Sequence, residues 1–306
     1  MMSRPLLLEE PPRLRAASLR PGVGWAWFCP SLAVLVALAA LARVAGVPHA
    51  ILSDPDTYLH IAAGRWVLAH GALPFSDPFS HSLHGALWLP SEWLGEVALA
   101  LAYDAGGWGA VVALTALGFA LAIGLLTRFL LRRLEPLPAL IAAVGAAGIL
   151  LAHLVARPHI LALPCLVLWS GGLLGARDDG RDPPLALLPV MVLWANLHGS
   201  FMFGLALAIG LGGEAVLFPD GGARRTAALR WGRFVALALA ASLATPNGIG
   251  GWLQPFRLLA MPTLTSTFDE WLSPNFQHPQ MLEWWLLGVI GAGFALGIKL
   301  PPVRVV

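Results

Sequence analysis

Long apolar segments recur along this chain, from Trp25 to Leu300, and they constrain its fold more than any other feature. Each of the longer segments can cross about 30 Å of membrane hydrocarbon as a helix. Only 12% of the residues are charged, whereas an ordinary soluble domain carries roughly 25%. The sequence therefore predicts an all-α, polytopic integral membrane protein and excludes a water-soluble fold.

The apolar segments predict about eight membrane-spanning helices within a single transmembrane domain, residues 25–306. We place the spans near residues 25–47, 108–130, 137–155, 159–176, 185–197, 200–218, 231–246 and 282–300. The first segment follows several arginines and ends in alanines, as a cleaved signal peptide would, but its tryptophan-rich start and its length favour an uncleaved span. Residues 1–24, rich in proline and arginine, are predicted to be a disordered cytoplasmic arm.

The distribution of positive charge selects the topology. With the N-terminus in the cytoplasm, most of the 19 lysine and arginine residues lie on the inner side, as the positive-inside rule requires. Counting the apolar run 91–106 as a span would break this pattern, so we interpret it as a helix on the outer surface. All 9 histidines then fall on the outer half of the protein. We therefore expect the functional site to face outward.

The first outer loop, residues 48–107, is far longer than the usual connection between helices, and such loops are usually functional. Two interfacial helices are predicted within it, over residues 56–70 and 91–106. Prolines between them make the connection rigid. Asp77 and Glu92 in this loop are candidate substrate-binding residues.

An acidic motif opens this loop, in the order Ser53-Asp54-Pro55-Asp56-Thr57. Asp54 and Asp56 stand two residues apart at a predicted helix start, where carboxylates can act as general base, as ligands of Mg²⁺ or Mn²⁺, or as both. His60 lies one helical turn beyond Asp56 on the same face and is a third catalytic candidate. The alternative is an ordinary helix cap in a solvated loop.

Further polar side chains are predicted at the outer ends of the spans. The candidate substrate-binding residues there are Arg157, His159, Asn196, His198 and Glu270. Arg157 suits a lipid phosphate because a guanidinium grips phosphate oxygens through paired hydrogen bonds. Polar groups between two apolar runs, such as Asn196, are costly and often functional. Glu270 stands in the last outer loop, residues 247–281, which is long enough to fold over the first. The alternatives are a snorkelling arginine, helix caps and a solvated acidic loop.

The motif Asp54-Pro55-Asp56-Thr57-Tyr58 resembles the acidic motif of the GT-C glycosyltransferases, membrane enzymes that use polyprenyl-phosphate-linked sugars. The run 91–107 is similar to their second juxtamembrane helix, and the Asp56-x-Tyr58 pairing is closest to the oligosaccharyltransferase-type pattern. A longer string looks like a group of bacterial membrane glycosyltransferases: Asp54-x-Asp56, His60, Gly64, Gly71, Pro74, Asp77-Pro78-Phe79-Ser80 and Glu92-Trp93. The resemblance covers about residues 25–215, and we expect a minimal or truncated member.

The resemblance implies an enzyme that moves a sugar from a polyprenyl-phosphate donor to an acceptor at the outer face of the bacterial inner membrane. It implies Asp54 or Asp56 as base or metal ligand, and Arg157 with His198 at the departing phosphate. Membrane lipid and a larger membrane complex are the expected partners, and nucleic acid is not. Two alternatives stay open: a transporter or flippase of a lipid-linked substrate, and a non-catalytic assembly partner.

Overall fold

The computed structural model describes residues 31–219, 224–261, 266, 277 and 279–297, and within those residues the fold is all-α. The helices are α1 (Leu32–Ala45), α2 (Pro48–Ile51), α3 (Asp56–His70), α4 (Trp93–Leu130), α5 (Pro136–Leu151), α6 (Pro158–Asp178), α7 (Leu188–Leu197), α8 (Phe201–Leu217), α9 (Arg224–Ser242), α10 (Ile249–Leu259) and α11 (Met281–Ala295). A 3-10 turn, Leu185–Leu187, leads into α7. The all-α part of the predicted fold class is confirmed for these residues, and the predicted arm 1–24 lies outside them.

Among the described residues, two helices are long and apolar enough to cross a membrane, α4 and α6. Shorter apolar helices accompany them: α1, α5, α7 with its leading turn, α8 and α11. These helices lie within a few residues of the segments that the apolar pattern predicted. By length and composition, α4 and α6 are the candidates for membrane spans.

α4 contains both the second predicted interfacial helix and the second predicted span. Gly106 and Gly107 depart from helical geometry, with φ/ψ of −160°/23° and 61°/−151°. The positive φ at Gly107 is a conformation that glycine adopts at little cost. The bend therefore separates the two predicted segments at the point where the sequence divides them.

Two helices differ from the sequence-based expectation. α9 begins at Arg224, several residues before the predicted span 231–246, because its arginine-rich first turns are helical although they are polar. α10 lies in the loop 247–281, where no helix was predicted. Gly250, Gly251 and Pro255 indicate a loop when taken from sequence alone, but in the fold they lie inside the helix.

Two apolar clusters hold the bundle together. One surrounds Trp169, Trp194 and Phe234, and its members come from α6, α7, α8 and α9. The other surrounds Val111 and Phe119 of α4 and includes residues of α1, α3 and α6. α4 and α6 also pack against each other, with Gly118 beside Ile160. The candidate site lies where the first turns of α3, α4 and α6 meet.

Glycines set the close approach of those three helices. A Cβ on Gly64 of α3 would lie 2.1 Å from the carbonyl oxygen of Glu96 on α4, and a Cβ on Gly95 would lie 2.6 Å from Cβ of Pro158 on α6. Only glycine permits backbones to come this near. His60, four residues before Gly64, is thereby brought against α4.

Candidate functional site

Most of the predicted site residues converge at one end of the bundle. They are brought there by the start of α3, by the residues around the start of α4, by the N-terminus of α6 and by the turn between α7 and α8. The residues that meet there are Asp54, Asp56, His60, Glu92, Arg157, His159 and His198. Asp77 and Asn196 are engaged in contacts of their own, and Glu270 lies outside the described residues.

Arg157 binds both aspartates of the acidic motif. Its Nε lies 2.5 Å from Oδ2 of Asp54, and its Nη2 lies 2.8 Å from Oδ2 of Asp56. Burial acts to raise the pKa of the Asp54 carboxyl, but the hydrogen bonds from Arg157 and from the Asp56 N–H outweigh it and hold that pKa below its usual range. Asp54 is therefore an anion, and it fixes the arginine in place.

The local fold of the acidic motif separates the roles of its two carboxylates. Oδ1 of Asp54 accepts the backbone N–H of Asp56 at 2.9 Å, the Asx-type turn that begins many helices. Both oxygens of Asp54 are thus engaged, and its side chain is only 10% exposed. The Asp56 side chain is 53% exposed. Of the two, Asp56 has the carboxylate that an incoming molecule can reach.

Glu92 and His198 form a second pair, with His198 Nε2 3.1 Å from Glu92 Oε1. The backbone N–H of Ser200 donates to Nδ1 of His198, so the neutral imidazole carries its proton on Nε2 and donates it to Glu92. Burial raises the pKa of Glu92 to about 7 and lowers the pKa of His198 to about 4. Near neutral pH the imidazole is therefore uncharged, and both ring nitrogens are engaged by the protein.

These contacts bear on the role expected for His198. The resemblance implied that His198 stabilises the departing phosphate, whereas in the structure Glu92 and the Ser200 N–H engage both of its ring nitrogens. His159 lies beside it, with the two ring centroids 5.9 Å apart. Of the two imidazoles, His159 is the one whose ring nitrogens make no hydrogen bond within the described part of the chain.

Glu96 is a site residue that the sequence analysis did not select. Its carboxylate is buried, and Oε1 lies 3.4 Å from Nδ1 of His60. The sequence placed His60 one turn beyond Asp56, whereas the fold pairs it with α4. The available signal was the spacing of Glu92 and Glu96, which lie one helical turn apart and so share a helix face.

Asn196 joins three helices through its amide. Oδ1 accepts the Trp93 indole N–H at 2.8 Å, and Nδ2 donates to the carbonyl oxygens of Val192 and Ala244 at 2.8 and 2.9 Å. Trp93 begins α4, Val192 lies in α7, and Ala244 follows α9. The amide predicted to bind substrate is thus occupied in holding these helix ends together.

Asp77 stabilises a turn of the loop between α3 and α4. Its carboxylate accepts the hydroxyl of Ser80 and the backbone N–H groups of Phe79 and Ser80, and these bonds lower its pKa. Its own backbone N–H donates to Ala86 across the loop. These contacts account for the burial of Asp77, which does not join the cluster around Arg157.

A cavity of about 660 Å³ opens beside Arg157. Polar side chains line one part of it: Asp54, His153, Arg157, His159, His198 and Ser200. Leu163, Leu166 and Phe203 line another part, and Leu166 and Phe203 are exposed at the protein surface. The cavity thus combines a cationic and hydrogen-bonding region with an open apolar edge, and its volume falls in the range of about 300–1,000 Å³ that ligand pockets occupy.

The described residues do not by themselves fit a divalent cation. Among them, no three His, Cys, Asp or Glu side chains are placed so that they could hold one ion. Arg157 nitrogens also lie against the oxygens of Asp54 and Asp56 that a cation would use. The metal-ligand role predicted for Asp56 would require the arginine to move and a further ligand to join.

The site has the composition needed to receive an amphiphilic anion. Arg157 supplies a guanidinium at the N-terminus of α6, where the helix dipole also favours negative charge. Asp56 supplies an exposed carboxylate, and Leu166 and Phe203 supply an apolar edge. Comparison with known protein families, with curated proteins and with solved structures gives no match for this chain, so its function is argued from these residues.

Proposed function

We propose that this protein is a membrane glycosyltransferase that moves a sugar from a polyprenyl-phosphate donor to an acceptor. The cavity beside Arg157 carries the proposal, because it joins a guanidinium suited to phosphate to an edge lined by exposed apolar side chains. A water-soluble sugar nucleotide would not need the exposed Leu166 and Phe203 at its edge. The resemblance to the GT-C glycosyltransferases supports the same assignment.

The surface of the bundle supports a polytopic membrane protein. Large apolar side chains are exposed along its helices, among them Leu35, Leu38, Leu117, Leu121, Ile141, Val144 and Ile209. Contiguous exposed apolar surface on this scale is unfavourable in water and expected in lipid. We propose about eight spans in a bacterial inner membrane, with the N-terminus in the cytoplasm and the Arg157 cavity on the outer side.

In the proposed reaction, donor binding releases the base. The donor phosphate takes the Nη2 hydrogen bond of Arg157 that Asp56 now holds, while Asp54 keeps Nε and fixes the guanidinium. His159 contributes a further hydrogen bond to the phosphate from the cavity wall. Oδ2 of Asp56 then becomes free to accept a proton only when the donor is in place.

The transfer itself is a direct displacement at the anomeric carbon. The acceptor hydroxyl oxygen forms the new glycosidic bond, its proton passes to Asp56, and the bond from the anomeric carbon to the phosphate oxygen breaks. The leaving group is polyprenyl phosphate, whose increasing negative charge Arg157 stabilises. The configuration at the anomeric carbon inverts.

Membranes containing the full chain, supplied with polyprenyl-phosphate monosaccharides, test the proposal. We expect Asp56→Asn to lower the initial rate of sugar release about 100-fold, because the general base is lost. Arg157→Lys should weaken donor binding, since an ammonium cannot bridge a carboxylate and a phosphate as a guanidinium does. Asp104→Asn is the matched control, because Asp104 forms an exposed ion pair with Arg65 between the same two helices, α3 and α4.

Full activity of an Asp54→Asn, Asp56→Asn double variant would overturn the proposal. Movement of the donor lipid across the bilayer without sugar release would point to a flippase. A parallel assay with a chelator tests whether the reaction requires a divalent cation. Glu270 is the candidate for a further metal ligand. Activity lost in EDTA and restored by Mg²⁺ or Mn²⁺ would show a metal requirement.

A further inference from the structure

A second crevice lies beside the C-terminal end of α4, and it shares no lining residue with the Arg157 cavity. It has a volume of about 390 Å³ and runs between the last turns of α4 and the middle of α6. Gly171 and Gly172 form part of its wall, with Phe129 and Leu187 packed over them. The two glycines admit Phe129 and Leu187 against α6, and beside them the partly exposed Val167 and the exposed Leu168 form the apolar wall of the crevice.

Two exposed arginines line this crevice, Arg128 and Arg132. Arg128 lies in the last turn of α4 and Arg132 in the turn that follows it, and both line the same crevice. The other residues lining the crevice are apolar or glycine, and no carboxylate is among them. The crevice therefore presents two positive charges at the border of an apolar slot.

The nearby cations differ from this pair because carboxylates neutralise them. Arg133 contacts Asp178 and Asp179 at 3.1 and 3.3 Å, and Arg230 contacts Asp182 at 3.1 Å. Within the described residues, Arg128 and Arg132 make no ion pair. Two uncompensated guanidiniums beside an apolar slot are complementary to a ligand that has both an anionic group and a hydrocarbon chain.

We infer that this crevice binds an anionic phospholipid of the inner leaflet. One acyl chain lies along Val167 and Leu168, and the headgroup phosphate lies between Arg128 and Arg132. Basic pockets between membrane helices on the cytoplasmic side bind lipid headgroups in this way. The inference depends on the membrane location proposed above, but not on sugar transfer.

Native mass spectrometry of the purified full chain in mixed micelles tests the site, with phosphatidylglycerol and phosphatidylcholine as competing probes. We expect the wild type to retain phosphatidylglycerol roughly ten- to thirtyfold better, which corresponds to two arginines contributing about 1 kcal/mol each. An Arg128→Gln, Arg132→Gln double variant should lose that preference. An Arg224→Gln, Arg225→Gln variant is the charge-matched control, because both residues are exposed on α9.

An equal loss of the phosphatidylglycerol preference in the two double variants would show diffuse electrostatic attraction rather than a site, and it would overturn the inference. Equal retention of the two lipids by the wild type would also overturn it. Competition by inorganic phosphate at the same concentration would also overturn it, because the acyl chain would then contribute nothing. Asp56→Asn should retain the lipid preference. A failure of the lipid site, seen as lost lipid preference, can therefore be distinguished from a failure of the glycosyltransferase proposal, seen in the sugar-release assay.

Discussion

Arg157 shows how one side chain links the groups of the candidate site. It lies directly before Pro158, at the N-terminus of α6, and holds Asp54 and Asp56 through different nitrogens. Removing either aspartate changes the partners of the other through the shared guanidinium. We therefore expect Asp54→Asn and Asp56→Asn to have non-additive effects on activity.

The Glu92–His198 pair predicts a specific dependence of stability on pH. The folded-state pKa of Glu92, about 7, lies above its ordinary value of 4.5, so its contribution to stability is complete below about pH 4.5 and is lost as the pH rises through 7. The folded-state pKa of His198 is lowered to about 4, from an ordinary value of 6.5. Its contribution to stability is therefore complete above pH 6.5 and is lost as the pH falls through 4.

Glu92→Gln separates these two contributions. The amide oxygen can still accept the His198 proton but cannot ionise. We expect the variant to lose less stability than the wild type between about pH 5 and pH 8. The difference should be at most about 3 kcal/mol, because each pH unit between the ordinary and the folded-state pKa of Glu92 corresponds to roughly 1.4 kcal/mol. Thermal unfolding in detergent across this range measures the difference, and parallel curves for the two proteins would contradict it.

At the scale of secondary-structure elements, the site depends on how closely α3 and α4 pack. Gly64 lies against the backbone of Glu96, the residue that faces His60. Because backbone atoms cannot move aside as a flexible side chain can, any larger residue at position 64 must push the helices apart. The distance between His60 and Glu96 would then increase.

Gly64→Ala should therefore destabilise the protein by about 3 kcal/mol, at the upper end of the usual cost of overpacking. Gly109→Ala is the control, since Gly109 lies in the same helix α4 with nothing within 4 Å of its added Cβ. That variant should be stabilised by up to about 1 kcal/mol through helix propensity. Denaturation in detergent compares them, and equal stability of the two variants would argue against the close α3–α4 contact.

At the scale of the whole molecule, the two ends of the bundle differ in chemistry. The histidine and carboxylate cluster lies at one end, around the start of α6, while Arg133, Arg181 and their aspartate partners lie at the other, around its end. Such sorting agrees with the proposed orientation, because the cytoplasmic loops of membrane proteins carry an excess of lysine and arginine.

Cysteine labelling tests this arrangement. In a variant with Cys29 and Cys165 replaced by alanine, Ser82→Cys lies in the exposed loop between α3 and α4, and Leu134→Cys lies in the exposed turn between α4 and α5. We expect a membrane-impermeant maleimide to label position 82 on intact spheroplasts and position 134 only after permeabilisation. The reverse pattern would place the Arg157 cavity in the cytoplasm and contradict the proposed orientation.

The sequence by itself determined most of the apolar helices but not α10, because apolar periodicity, prolines at helix starts and the Gly106–Gly107 pair act over short stretches of chain. It also indicated Asp54, Asp56 and Arg157 as polar groups at helix ends. Only the tertiary structure decided which of them meet: that Arg157 binds both aspartates, that His60 faces Glu96, and that Asn196 and His198 have their polar atoms engaged. These pairings join residues far apart in the chain, and they follow from close helix packing at positions such as Gly64 and Gly95. The local sequence around such a glycine does not indicate which helix packs against it.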